Sequence, residues 1–130
     1  MKKNILWDFD GVILNSNKET EFAFRYVLQN HSKDQIEQLL NFHNMNGGLS
    51  RYVKFKYFYN NIINENLTDS KMNLLTNLFS EIRLNRLSNP NLLITDTFKF
   101  IKNNYDKYSM HIVSGSDGTE LRSLCNNLDI

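Results

Sequence analysis

The chain has 130 residues, 41% of them hydrophobic and 22% charged, with 15 Lys or Arg against 14 Asp or Glu for a net charge of +1. That length suits one ordinary domain, and the near-neutral balance excludes both a basic nucleic-acid tail and a highly charged disordered segment. No apolar run reaches the roughly 18 residues of a membrane span, and the lone Cys125 excludes a disulfide framework or a cysteine metal site.

Met1-Lys2-Lys3 leads straight into an apolar run, Ile5 to Trp7, which reads as a short buried strand rather than a cleaved signal peptide. A reducing cytoplasm is therefore the expected compartment. Ser16-Asn17-Lys18-Glu19 has capping-box spacing and opens a helix whose predicted stripe is Phe22, Ala23, Tyr26 and Val27. Ser32-Lys33-Asp34-Gln35 is a second box, followed by Ile36, Leu39 and Leu40 at helical spacing. Asn44-Met45-Asn46-Gly47-Gly48 ends that helix. Ser50 caps a third, with Val53, Tyr57 and Phe58 on its apolar side and Ile62 as an extension. Thr68 or Asp69 caps a fourth, striped by Met72, Leu75, Leu78, Phe79 and Ile82. The aromatic residues of these four helices read as packing core.

Ser88-Asn89-Pro90-Asn91 carries the one proline and reads as a linker. Beyond it, Thr95 or Asp96 caps a helix bearing Phe98, Ile101 and Tyr105. Met110 to Val113 is predicted as a second buried strand. Asp117-Gly118-Thr119-Glu120 then opens a last helix with Leu121, Leu124 and Leu128. Strand, helices, strand, helix is the order of an α/β fold with a parallel sheet. The expected domains are an α/β part over residues 1–14 and 88–130, and a helical insert over residues 15–87.

Two stretches suggest chemistry. Asp8 and Asp10 are two apart at the carboxyl end of the first strand, so they can face one volume, and Gly11 lets the backbone turn away at once. Buried carboxylates are costly unless a cation or phosphoryl group uses them. Ser114-Gly115-Ser116 ends the second strand, where a small hydroxyl and exposed N–H groups suit a phosphate. The plain alternative is a polar turn before a helix.

Asp8-Phe9-Asp10-Gly11-Val12 resembles the first motif of the haloacid dehalogenase superfamily, and Val113-Ser114-Gly115-Ser116 resembles its second. The likeness implies a Rossmann-like core with an inserted four-helix cap, as in phosphoglycolate phosphatase and β-phosphoglucomutase types. It further implies a Mg²⁺-dependent phosphohydrolase acting on a small phosphorylated metabolite. Asp8 would be the nucleophile that forms an aspartyl-phosphate, and Asp10 the acid and base. Mg²⁺ would bind Asp8 and the Asp10 carbonyl, and Ser114, Gly115 and Ser116 would hold phosphate. Gly47-Gly48-Leu49-Ser50-Arg51 matches a cap loop in which Arg51 forks onto substrate. The alternative for that loop is a helix end followed by an ordinary exposed cation. Lys54 lies one turn from Ser50, and only it or Lys56 could serve phosphonate-cleaving chemistry. His31, His43 and His111 look unremarkable.

The pattern is incomplete. The family places a lysine after the second motif and an acidic pair on a later strand, whereas the last lysine here is Lys107. The chain is thus expected to be the N-terminal part of a longer enzyme or a truncated product, weakly active or inactive alone. A sugar-phosphate phosphomutase and a non-catalytic remnant that binds phosphate or Mg²⁺ are the alternatives. No nucleic-acid or membrane partner is expected, and nothing sets the oligomeric state.

Overall fold

The computed structural model describes residues 1–130. Helix dominates it: six α-helices with one π turn and one 3-10 turn hold 60% of the chain. The order is β1 (Asn4–Asp8), α1 (Asn17–Val27), α2 (Lys33–Met45), α3 (Arg51–Tyr57), the π turn (Phe58–Ile62), α4 (Asp69–Leu87), the 3-10 turn (Pro90–Leu92), α5 (Thr95–Asn104), β2 (Ser109–Val113) and α6 (Gly118–Asn127). The chain divides into two compact units, one formed by Met1–Glu19 with Arg86–Ile130 and the other by Thr20–Asn85.

The second unit is wholly helical. Its core joins Ala23, Phe24 and Leu28 of the α1 region to Ile36, Leu39 and Leu40 of α2, Phe55 and Phe58 beyond them, and Leu75 and Phe79 of α4. Three aromatic rings meet at its centre: Phe24 lies 4.5 Å from Phe79 and 5.5 Å from Phe55, with Phe55 and Phe79 edge to face at 5.7 Å. Rings this close add packing energy beyond the area they bury. Local signals start the helices as the spacing predicts for α2, where Ser32 Oγ accepts from Gln35 N–H and the Gln35 side chain answers the Ser32 N–H. Ser50 Oγ accepts from Val53 N–H to start α3, and Thr68 Oγ accepts from Lys71 N–H at the start of α4.

Several predicted stripes are rotated. On α1 the buried residues are Thr20, Ala23 and Phe24, while Phe22 and Tyr26 are exposed. On α3, Val53 is exposed and Arg51, Lys54 and Phe55 are buried. On α4, Leu78 is exposed, and Thr76 and Arg83 share the buried side with Leu75, Phe79 and Leu87. Each of these helices carries apolar residues on more than one face, so periodicity permits two solutions and packing selects one. The predicted extension of the third helix becomes a π turn, closed by Ile63 N–H onto Phe58 O at 3.0 Å.

In the first unit β1 and β2 pair in parallel, with Ile5 beside Met110, Trp7 beside Ile112 and Asp8 beside Val113. Trp7 packs edge to face on Phe100 of α5 at 5.8 Å. The opposite face is open, leaving Leu6 69% and Val113 58% exposed. The two strands predicted as buried are therefore half-buried, alternating strands.

This overturns the expected fold class. A Rossmann-like core needs a parallel sheet wide enough to carry helices on both faces. Here the sheet has two strands and stays unclosed. The chain is a helix-dominated protein with a minor sheet, not an α/β haloacid dehalogenase core with a cap. The two strand signals in the sequence are the two strands that pair, and the α/β expectation rested on further strands that the chain does not contain.

Candidate functional site

At the carboxyl end of β1 the chain reverses tightly. Gly11 sits at φ +80°, a left-handed conformation that glycine adopts without penalty. The N–H groups of Val12, Ile13 and Leu14 all turn back toward Phe9 O. Both acids lie on this turn and both are exposed. Asp8 Oδ1 accepts the Phe9 N–H at 2.8 Å, and Asp10 Oδ1 accepts the buried Ser16 hydroxyl at 2.6 Å. Ser16 is thus drawn into holding the turn, and no capping bond from it to α1 is formed. Because neither carboxylate is buried, the desolvation cost that made them look like a site does not arise.

Ser114 follows directly after Val113, the register partner of Asp8, so the serine turn and the acids lie at one end of the sheet. Ser114 Oγ accepts the Ser116 N–H at 3.1 Å, closing the turn on itself. Gly115 is exposed within it. Asp117 stands at the N-cap of α6 without a side-chain capping bond.

For Mg²⁺, Asp8 and Asp10 are the carboxylates available at this end. The chain contains no group of three or more His, Cys, Asp or Glu able to hold a metal ion. Two carboxylates can hold Mg²⁺ only as an ion that keeps most of its waters. The phosphohydrolase reading needs an acidic catalytic cluster on a Rossmann-like core, and the chain has neither. The assignment to the haloacid dehalogenase superfamily, the aspartyl-phosphate mechanism, the hydrolase class and the phosphomutase alternative fall together, since all rest on that cluster.

A different constellation lies in the helical unit. Arg51 is 5% exposed, its guanidinium donating to Ser80 Oγ at 2.7 Å and lying 4.7 Å over the Phe79 ring. Gly47 and Gly48 precede it on an exposed turn, where an added Cβ would meet nothing within 4 Å, so no close approach demands glycine there. One turn along α3, Lys54 is 4% exposed and its Nζ lies at hydrogen-bond distance, 2.8 Å, from His43 Nδ1. His43 itself is buried against Phe24, ring centres 5.0 Å apart. Arg83, 4% exposed, is one turn from Ser80 on α4 and so falls on the same side as the Arg51 contact.

Of the residues predicted to bind substrate, only Arg51 belongs to this buried basic face. In the sequence His43 looks unremarkable and Arg83 is not among the candidate site residues. A signal for Arg83 existed: it is four residues from both Phe79 and Leu87, on an otherwise apolar row of α4.

No helix of the chain is long and apolar enough to cross a membrane. No protein-family model matches the sequence, and no curated protein matches it.

Proposed function

We propose that the chain is a non-catalytic binding protein for a small phosphorylated metabolite, taken up by the basic face of the helical unit. The observation that supports this is the burial of three cations in the helical unit, Arg51, Lys54 and Arg83, with Lys54 Nζ 2.8 Å from His43 Nδ1. Guanidinium forks match the oxygens of a phosphate in pairs, and an ammonium supplies a further charged donor.

Mg²⁺ is a separate part of the proposal, confined to Asp8 and Asp10, whose exposed carboxylates suit an ion that retains its waters. A reducing, cytoplasmic setting completes it: Cys125 is a half-buried free thiol whose pKa burial pushes up, which keeps it in the less reactive protonated form.

Calorimetric titration with inorganic phosphate, a hexose phosphate and the matching free hexose tests the reading. The phosphorylated probes should bind, weaken as salt is raised, and lose about tenfold in affinity when Arg51→Gln removes a charge-assisted hydrogen bond. Arg83→Lys, which keeps the charge, should lose less than Arg83→Gln. Equal affinity for the hexose and its phosphate, or no binding of either, overturns the proposal. Titration of Mg²⁺ alone, read at the Asp8 and Asp10 amides by NMR, tests the cation part.

A further inference from the structure

The two-stranded sheet of the first unit leaves the outer edge of each strand unpaired. Ser109 N–H donates to Lys3 O at 2.9 Å, and with the Asn4–Ser109 register this bond sets the phase of the ladder. Alternate residues of a strand turn their peptide groups to opposite sides. Ile5 and Trp7 therefore address β2, while Asn4, Leu6 and Asp8 turn N–H and C=O outward. The side chains of the same three residues stand on the open face and are exposed, Leu6 to 69%. An edge that offers unpaired peptide groups beside a large exposed apolar side chain is a template for another strand.

Charge along β1 selects what that strand is. Lys2 and Lys3 lead into β1 and are exposed, Ile5 to Trp7 are apolar, and the exposed Asp8 and Asp10 close it. A second copy of β1 laid parallel would set lysine against lysine and aspartate against aspartate. Laid antiparallel, it sets the basic start of each strand beside the acidic end of the other, and opposite charges across a strand pair attract. The other free edge has no such polarity: Ser109–Val113 contains no lysine, arginine or carboxylate, and Ser114-Gly115-Ser116 follows it.

We propose that the chain self-associates as a twofold dimer in which β1 pairs antiparallel with β1 of a second copy, centred on Leu6. In that register Leu6 faces Leu6 and Asn4 faces Asp8. Each facing pair exchanges N–H···O=C bonds in both directions, which is the phase that the outward peptide groups of Asn4, Leu6 and Asp8 require. The two leucines lie side by side on the open face and cover part of each other. A contact that uses the same edge on both copies closes after two chains, so it yields a dimer and not a fibre. It draws on no residue of the buried basic face, and it stands or falls apart from the phosphate reading.

Sedimentation equilibrium of the whole chain over a concentration series tests the contact. The natural chain should show a monomer–dimer equilibrium that raised salt weakens. Asn4→Asp sets like charges opposite one another at both ends of the contact and should weaken association by about threefold to tenfold, whereas Asn4→Lys should strengthen it. Leu6→Pro removes an outward N–H and no bond of the β1–β2 ladder, so it should leave the chain monomeric. If Trp7 fluorescence shows that this variant has lost its sheet, the two Asn4 variants, which alter only an exposed side chain, decide. Register is read with Leu6→Cys in a Cys125→Ser background. Oxidised glutathione should link two such chains, because facing residues of the pair fall within disulfide reach, and Val113→Cys in the same background should stay unlinked. A monomer at every concentration, growth beyond a dimer, equal affinities of the two Asn4 variants, or no cross-link through Leu6→Cys overturns the proposal.

Discussion

Tyr59 connects the chemistry of a single residue to the stability of its fold. Burial is the main cause of its raised pKa, and the nearby Glu65 carboxylate adds to it. The fold thus prefers the neutral phenol. Below the ordinary tyrosine value of 10.0 both folded and unfolded chains are protonated, and this group adds no pH dependence. As pH rises past that value the unfolded chain ionises first, so stability falls until the folded phenol also ionises. Urea midpoints measured across that alkaline range should decline for the natural chain and decline less for Tyr59→Phe. The phenolate absorbance of Tyr59 should move toward lower pH in Glu65→Gln. Arg51, Lys54 and Arg83 show another residue-scale point: a buried charge on an amphipathic helix is visible as an interruption of an apolar row, but its partners are not. Ser80 could not be read as the acceptor for Arg51 from 29 residues away.

The elements divide into those decided locally and those decided by packing. The α2 N-terminus is local: Ser32 and Gln35 satisfy each other's backbone N–H groups, and both residues sit within one turn. Ser32→Ala should destabilise the chain by about 1 kcal/mol, the usual worth of such a cap, read as a lower urea midpoint at unchanged slope. The α1 start is not local. Its serine has capping-box spacing, yet the hydroxyl is claimed by Asp10, six residues earlier, because the Gly11 turn brings them together. Packing selects the buried face of α1, where Phe22 and Tyr26 stack on each other at 6.3 Å on the exposed side while Phe24 enters the aromatic core. The π turn carries Phe58 and Tyr59, both buried, the first of them in the aromatic core.

At the scale of the whole molecule, the decisive feature is how little sheet there is. Two parallel strands with one open face do not build the crevice at which broad α/β sheets hold and transform ligands. The acids at the strand end are exposed and engaged in holding a turn. The purified chain should therefore release no phosphate from a small phosphate ester in the presence of Mg²⁺, and Asp8→Asn should leave phosphate binding at the basic face intact. A phosphate-release assay on both proteins, beside the calorimetric titration, checks this. Turnover by the natural chain that Asp8→Asn abolishes would contradict the helix-dominated, non-catalytic reading.

Sequence alone determined those features whose causes lie within a turn or two of chain. The existence and order of the helices, the Ser32 box, the Ser50 and Thr68 caps, the Gly11 reversal and the apolar row of α2 are all of that kind. It also showed Asp8, Asp10 and the Ser114 to Ser116 turn as strand-end groups, since alternation and turn residues are local signals. Tertiary structure decided everything that depends on what lies opposite. It chose which of two apolar faces α1, α3 and α4 bury, left one face of the sheet open, and buried Arg51, Lys54, Arg83 and His43 within the helical unit. The physical reason is the same in each case: burial is a property of a pair of surfaces, and a sequence read one segment at a time contains only one of them.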